Sequence, residues 1–214
     1  MSNNIKFSVI MASYLGNYGG ASHRDIKFKR AVKSFLNQTY DNKELIIVSD
    51  GCELTIKIWE ENFSQHDNIK LIKLNKQPLY SGSMRNVAFE VADGDIITYL
   101  DSDDALGKKH LETIFDQFDI EKNDWVYYDD YMVLNKEFNK FHIRKVETRF
   151  GSIGTSAISH KNPKNIENGN NLLWSTGYGH DFLFVFKLNS TTKSFKKLKK
   201  MPQYLVCHHA NGDW

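Results

Sequence analysis

Short apolar runs and one-faced amphipathic segments alternate through the first hundred residues of the chain. Apolar runs that stop at small or acidic residues are typical of buried strands, whereas apolar residues at positions i, i+3, i+4 and i+7 indicate helices. The predicted strands are Lys6–Ser13, Glu44–Val48, Ile69–Leu74 and the apolar run within Asp95–Asp104. The predicted helices are a segment capped by Asp25 that ends at Leu36, then Leu54–Gln65 and Gly82–Ala92. This alternation predicts an α/β fold in which a mostly parallel sheet has helices on both faces.

The pattern is less regular after Asp104. An aromatic-rich strand is predicted over Trp125–Leu134, where Asp129 and Asp130 are expected to be solvated acids at a strand end, with contact to ligand hydroxyls as the alternative. The other predicted elements are a helix over Lys108–Phe118, short strands at Phe141–Val146 and Thr155–Ser159, a polar loop at Asn162–Asn171, a buried helix over Gly179–Leu188, and a strand-like stretch that ends at Cys207. The lysine-rich stretch Lys193–Lys200 is expected to be a solvated helix face, with contact to a polyanion or membrane surface as the alternative.

Composition narrows the class of protein without naming an activity. The 214 residues suit one domain, and 28 basic against 26 acidic residues give a net charge of +2, which does not indicate a nucleic-acid partner. Cys52 and Cys207 lack a CxxC spacing, and the amino terminus lacks the features of a signal peptide. No apolar run approaches the roughly 20 residues needed to span a bilayer. We therefore expect a soluble cytoplasmic protein, with peripheral membrane contact left open.

The fourth strand ends in a cluster of carboxylates: Asp101, Asp103 and Asp104 follow the apolar run directly. Three acids within four residues repel one another, and a bound cation or a set of hydrogen-bond donors relieves that repulsion. A solvated acidic turn is the simpler interpretation. The position favours a binding site, because ligands of open α/β sheets bind at the carboxyl ends of the strands.

These residues also match a known family. The chain resembles the family 2 glycosyltransferases of the GT-A fold through SVIMASY (8–14), RAVKSFLNQTYDNKELIIVSDG (30–51), GSMRNVAFEVADGDIITYLDSDD (82–104) and, more faintly, GTSAIS (154–159) and GHDFLFVFKL (179–188). The resemblance implies one domain over residues 1–214, with a nucleotide-sugar-binding half at 1–104 and an acceptor-binding and catalytic half at 105–214. It further implies inverting transfer of a sugar from a nucleotide-sugar donor to a hydroxyl acceptor.

The resemblance assigns the donor site to residues at the strand ends. The small residues Ala12 and Ser13 leave room for a base, and Asp50 can accept a hydrogen bond from a ring N–H such as uracil, thymine and guanine present. Among these, the resemblance favours UDP, then dTDP, then GDP. A plain strand-end cap is the alternative for Asp50, and a surface salt bridge is the alternative for Arg85. The residues that the resemblance implies for nucleotide binding are Ala12, Ser13, Asp50, Arg85, Asp101 and Ser102.

The resemblance also implies a metal site and a general base. Asp103 resembles the second acid of the DxD element, which binds Mn²⁺ or Mg²⁺ on the diphosphate, and His209 is the candidate for a late histidine ligand, with His208 as its alternative. Asp181 matches the catalytic base at the start of a helix, although His180 stands where the family has an acid. A helix N-cap is the structural alternative for Asp181.

Two other classes of protein fit parts of the pattern. A GT-A-like protein that binds a nucleotide sugar or a glycan without transferring it would keep the donor pocket, although it would not need both the acidic cluster and Asp181. A nucleotidyltransferase would place a Gly-rich basic loop after its first strand, which LGNYGGASHR (15–24) matches loosely. The acceptor stays open among a glycan, a lipid-linked glycan, a protein and a modified nucleobase.

Overall fold

The structure is a computed structural model that describes residues 5–16, 22–77 and 81–207. The helices are α1 (Arg24–Leu36), α2 (Glu53–Asn62), α3 (Gly82–Val91), α4 (His110–Phe115) and α5 (His180–Thr191). The strands are β1 (Phe7–Ser13), β2 (Lys43–Asp50), β3 (Ile69–Leu74), β4 (Ile96–Tyr99), β5 (Ala105–Leu106), β6 (Trp125–Tyr127), β7 (Asp130–Val133), β8 (Phe141–Arg144), β9 (Ile158–Lys161), β10 (Phe195–Lys197) and β11 (Tyr204–Val206).

A seven-stranded sheet forms the centre of the fold, in the order β10-β6-β9-β4-β1-β2-β3. The strands β1 to β4 are parallel, and β9 runs antiparallel to both of its neighbours, β4 and β6. Alternate residues of one strand enter two different cores: Val9 packs with α1, α2 and α4, whereas Ile10 packs with α3 and α5. The predicted α/β fold, with a mostly parallel sheet between helices, is confirmed.

Trp125–Leu134 is two strands and not the single strand that the aromatic run predicts. β6 belongs to the large sheet and β7 to a second sheet of order β5-β11-β7-β8, and the chain changes sheets at Tyr128 and Asp129. The Asp129 carboxylate accepts the Val146 N–H at 2.9 Å and pairs with Lys145 at 2.9 Å and Lys197 at 2.6 Å. The predicted solvated acid is therefore a buried link between segments, because its charge is matched on several sides.

Asp130 was also expected to be solvated, and it is fully buried. Its carboxylate accepts both a bidentate pair of hydrogen bonds from Arg144 and the Ser156 hydroxyl proton at 2.7 Å. A buried carboxylate requires this kind of pairing, since an unpaired charge away from water is costly. The Asp129-Asp130 pair thus belongs to the structural core of the second half of the chain.

Several element boundaries also differ from the prediction. α1 begins at Arg24 after His23, so Asp25 lies in the first turn and is not the cap. The predicted strand Thr155–Ser159 is a 3₁₀ turn followed by β9, and α5 is only partly buried, with Phe186 61% exposed. Lys193–Lys200 is not the expected helix face: its central residues form the exposed strand β10 beside β6, where Phe195 stacks on Trp125.

Both cysteines are free and buried, as their spacing suggests. Within the described ranges, every helix is too short or too polar to serve as a bilayer-spanning segment.

The environment of Asp129 leads to a stability prediction. Burial alone would raise the pKa of Asp129, but hydrogen bonds from Lys197, the Val146 N–H and Lys145 outweigh it and lower the pKa to about 2. A carboxyl pKa that is lower in the folded state stabilises the fold above its unfolded pKa, and that contribution is lost as pH falls toward the folded value. We expect Asp129→Asn to lower the free energy of unfolding by about 2 kcal/mol at pH 7, measured by urea denaturation.

The difference between Asp129→Asn and the wild type should shrink as pH falls from about 4 to 2. Asp119→Asn is the matched control, because the Asp119 carboxylate pairs with Lys122 at the surface, where an ion pair contributes little. Equal stability losses in the two variants would contradict the structural role of Asp129.

Candidate functional site

A cleft of about 490 Å³ opens where the parallel strands of the large sheet end. Strands β2 and β4 flank β1 on opposite sides, so the chain changes direction across the sheet at β1, and ligands of open α/β sheets bind at such a point. Ala12 and Ser13 at the end of β1 and Asp50 at the end of β2 line the cleft. Residues 101–103, which follow β4, line it as well.

Arg85 and Asp181 complete the set of predicted residues that the cleft brings together. The Arg85 side chain is buried, its Nη2 donates to Asp101 Oδ1 at 3.1 Å, and its Nη1 lies 3.9 Å from Asp181 Oδ1. The guanidinium also lies over the Trp174 ring, 4.6 Å from its centroid. Arg85 is therefore not a surface arginine, and it joins the end of β4 to the start of α5.

Asp101 is oriented by partners on three sides. Its Oδ1 accepts from Arg85, its Oδ2 accepts the Thr155 hydroxyl proton at 3.0 Å, and its backbone N–H donates to the Tyr204 hydroxyl at 3.0 Å. About a third of its side chain is exposed, and the residue lines the cleft. Asp101 is thus a fixed acceptor with limited capacity for further ligands.

The next two acids of the cluster have opposite environments. Asp104 is buried, and its Oδ1 accepts the Cys207 N–H at 2.7 Å, which ties the turn to the end of β11. Asp103 is half-buried in the cleft, and Arg30 donates to its backbone carbonyl. Among the described residues, none hydrogen-bonds the Asp103 carboxylate. That carboxylate is consequently the one of the cluster that is available to a ligand from the cleft.

The donor set in the cleft fits a cation that is shared with a substrate. Within residues 5–16, 22–77 and 81–207, no three His, Cys, Asp or Glu side chains are grouped to hold a metal ion. The candidate ligand His209, and His208 beside it, lie outside the described residues. Mg²⁺ is often held by one or two carboxylates while water and substrate phosphates supply the other oxygens. The open carboxylate of Asp103 fits that arrangement.

Asp50 has partners that the sequence did not reveal. Its Oδ1 accepts the Gln77 N–H at 2.6 Å, and the other oxygen pairs with Lys76, whose ammonium lies 4.6 Å from the centroid of the Tyr14 ring. Gly51 has a φ of +60°, and a Cβ there would lie 2.4 Å from the Lys76 nitrogen, so only glycine permits this approach. Lys76 follows β3, which was predicted as a parallel strand. Because the carboxyl ends of parallel strands meet at one edge of the sheet, this position could have indicated that Lys76 lies near the cleft.

Asp181 is the second residue of α5 and does not cap it, because the N-cap is Gly179 with a φ of 81°. Its Oδ1 lies 3.1 Å from His180 Nε2, and about a third of its side chain is exposed. Burial opposes ionisation, but His180 and the Arg85 guanidinium outweigh it and hold the pKa of Asp181 below its usual value. Asp181 is therefore an ionised carboxylate at neutral pH, which is the state that a general base requires.

Thr155 and Trp174 are further residues that sequence reasoning missed. Thr155 donates to Asp101 from a 3₁₀ turn that was predicted as a strand. Trp174 is held at its backbone by Asn86, which donates to its carbonyl at 3.0 Å and accepts its N–H at 2.7 Å. Thr155 belongs to the faint GTSAIS match and lines the cleft, whereas Trp174 stands in no motif and packs behind the cleft against Arg85.

Comparison with known proteins identifies the family. The chain matches the model of Glycosyl transferase family 2 over residues 27–194, which is more than three quarters of its length. It is similar to an uncharacterized glycosyltransferase of Haemophilus influenzae, with 41% identity over 85 residues that cover 39% of this chain and 33% of that protein. The chain thus spans a third or less of the length of the first curated relatives it matches.

Solved structures share the fold at low sequence identity. The chain is similar to TarS of S. aureus, with a TM-score of 0.75 and 20% identity over 94% of this chain and 36% of that one. TarS 1–349 in complex with UDP-GlcNAc gives a TM-score of 0.70, with 20% identity over 94% of this chain and 58% of that one. The mannosyltransferase PcManGT from Pyrobaculum calidifontis, in complex with GDP-Man and Mn²⁺, gives 0.67, with 12% identity over 95% of this chain and 57% of that one.

The family match covers β2 to β4 and α5, and therefore includes the ends of β2 and β4 and the helix start that line the cleft, although β1 lies before it. The similar structures are glycosyltransferases whose fold extends over nearly the whole chain. The chain belongs to glycosyltransferase family 2, and its fold is the GT-A fold.

Proposed function

We propose that this protein is an inverting glycosyltransferase that moves a sugar from a UDP-sugar to a hydroxyl acceptor, with Mn²⁺ or Mg²⁺ at Asp103. The observation that carries the proposal is the presence in one cleft of an open carboxylate at Asp103, an ionised carboxylate at Asp181 and the buried cation Arg85, which contacts Asp101 and Asp181. A protein that only binds a nucleotide sugar has no need of a base opposite the metal-binding turn.

The reaction requires a proton acceptor and stabilisation of a leaving group. Asp181 takes the proton of the acceptor hydroxyl as its oxygen bonds to the anomeric carbon, while the bond from that carbon to the diphosphate oxygen breaks. The leaving nucleoside diphosphate gains negative charge, and Arg85 supplies fixed positive charge beside it. A divalent cation held by Asp103 supplies further charge to the diphosphate when bound.

The donor half of the site is proposed to be residues 1–104, with Ala12, Ser13 and Asp50 around the base and with Asp101 and Ser102 toward the ribose. Residues 105–214 would bind the acceptor and supply the base. The Asp50 carboxylate is an acceptor-only group, which favours a ring that presents an N–H, such as uracil. The fold neighbour TarS in complex with UDP-GlcNAc supports the choice of UDP among such nucleotides.

The first prediction from the proposed function separates recognition of the nucleotide base from the Lys76–Asp50 ion pair. If Asp50 accepts the uracil N–H, Asp50→Ala should weaken UDP binding by about 1–3 kcal/mol, because a buried donor loses its acceptor, and should narrow the gap between UDP and CDP. Lys76→Met is the control, because it removes the partner of Asp50 and keeps the carboxylate. It should retain the preference for UDP in calorimetric titrations. Equal binding of UDP and CDP by the wild type would contradict the contact.

A second prediction concerns the metal. Asp103→Asn keeps size and removes the charge of the carboxylate that no described residue engages, so the fold should stay intact. We expect the variant to lose the Mn²⁺-dependent part of UDP affinity, measured by calorimetry with and without Mn²⁺. Asp116→Asn, an acid on the surface after α4, is the control and should bind like the wild type. Unchanged Mn²⁺-dependent affinity in Asp103→Asn would exclude Asp103 as a ligand.

A third prediction concerns the base. Asp181→Asn should lower the rate of UDP release in the presence of acceptor by about 10²-fold or more, the usual contribution of a positioned general base, while UDP affinity stays within a few-fold. Since the pKa of Asp181 is lowered, the wild-type rate should stay level from neutral into mildly acidic pH and fall only below the usual aspartate range. A variant that transfers sugar at nearly the wild-type rate would show that Asp181 only shapes the helix start.

A further inference from the structure

A second concave surface lies outside the donor cleft, along one face of α1. It has a volume of about 780 Å³, and its lining includes Lys29, Arg30, Lys33, Leu106 and Lys108, which together we call the basic groove. The α1 residues are spaced at i, i+1 and i+4, so the lysines lie one helical turn apart on one face. Leu106 and Lys108 form the opposite wall, in and after β5.

The charge of the basic groove is not neutralised locally. No carboxylate is among its lining residues, and Lys29, Lys33 and Lys108 form no ion pair with any residue in the described part of the chain. Some lysines elsewhere on the molecule have carboxylate partners, such as Lys70 with Asp93 at 2.7 Å and Lys161 with Asp124 at 2.8 Å. The groove thus concentrates uncompensated positive charge in a concave site, which attracts anions.

The cations of the groove suit phosphate oxygens. A lysine ammonium is a compact, strongly hydrated point charge that binds phosphate oxygens without the bidentate geometry that arginine offers to carboxylate or phosphate. The one arginine of the groove is already engaged, since Arg30 donates to the Asp103 carbonyl and its guanidinium lies 5.0 Å from the centroid of the Phe138 ring. Three lysines on two walls suit a chain with several phosphate groups more than a single phosphate.

The basic groove adjoins the proposed metal site. Arg30 lines the groove and holds the backbone of Asp103, which lines the donor cleft, and Leu106 follows Asp103 by three residues. A chain that lies in the groove therefore passes beside the turn where the diphosphate of the donor would bind. This neighbourhood suits an acceptor more than a regulator bound at a distance.

We propose that the basic groove binds an acceptor that carries phosphodiester groups, an assignment that rests on the proposed function. The phosphates contact Lys29, Lys33 and Lys108, and a hydroxyl of the same chain reaches the donor cleft. The concave shape of the groove fits a single extended chain more closely than the flat surface of a membrane.

The test uses an abasic deoxyribose-phosphate oligomer of ten units, which presents phosphodiesters and hydroxyls without bases. Fluorescence anisotropy of the labelled oligomer should show that Lys29→Gln/Lys33→Gln/Lys108→Gln binds roughly tenfold more weakly than the wild type at low salt. The slope of log affinity against log salt concentration should become smaller in magnitude by about 2. Each lost phosphate contact contributes about 0.7 to this slope, and the variant loses three. Lys57→Gln/Lys199→Gln/Lys200→Gln removes the same charge from exposed lysines elsewhere and should bind like the wild type.

Vesicles of anionic phospholipid form the second arm of the test. The assignment would be overturned if the two triple variants lost oligomer affinity equally. It would also be overturned if the protein bound vesicles through the groove lysines and did not bind the oligomer. UDP affinity is measured in parallel on the same proteins. If UDP binds and the oligomer does not, the groove assignment fails alone; if the oligomer binds through the groove and UDP does not, the donor assignment fails and the groove remains an anion site.

Discussion

The buried guanidinium of Arg85 is the constraint on which the cleft depends. A cation away from water is costly unless charges and hydrogen bonds surround it, and here Asp101, Asp181 and the face of Trp174 fulfil that role. Trp174 donates in turn to the Tyr99 hydroxyl at 3.3 Å, on the last residue of β4. One side chain of α3 thereby fixes the end of β4, the start of α5 and the segment before α5 relative to one another.

The same requirement for charge compensation sorts the acids of the molecule into separate roles. Asp104, Asp129 and Asp130 are buried with donors and stabilise turns and sheet crossings. Asp101 is held by Arg85 and Thr155. At Asp103 the Arg30 side chain engages the backbone carbonyl, and no described residue hydrogen-bonds the carboxylate. Acids that neighbour one another in the sequence therefore differ in function because their partners differ in space.

The first half of the fold could be predicted because its strands are buried on both faces. Such strands appear as continuous apolar runs, as in β2, and their carboxyl ends indicate which residues meet at the cleft. The second half could not be predicted equally well, since the split of Trp125–Leu134 and the strand β10 depend on contacts between distant segments. The pairing of Lys76 with Asp50 and the packing of Trp174 under Arg85 are likewise tertiary contacts without a local signature.

The central claim is that the cleft at the ends of β1, β2 and β4 holds a nucleoside diphosphate and a divalent cation. The most direct measurement is a crystal structure of the protein grown with UDP and Mn²⁺, with anomalous diffraction recorded at the manganese edge. We expect one anomalous peak within bonding distance of both an Asp103 carboxylate oxygen and the diphosphate, with the uracil ring near Asp50. Nucleotide density elsewhere, or a manganese peak remote from Asp103, would contradict the claim.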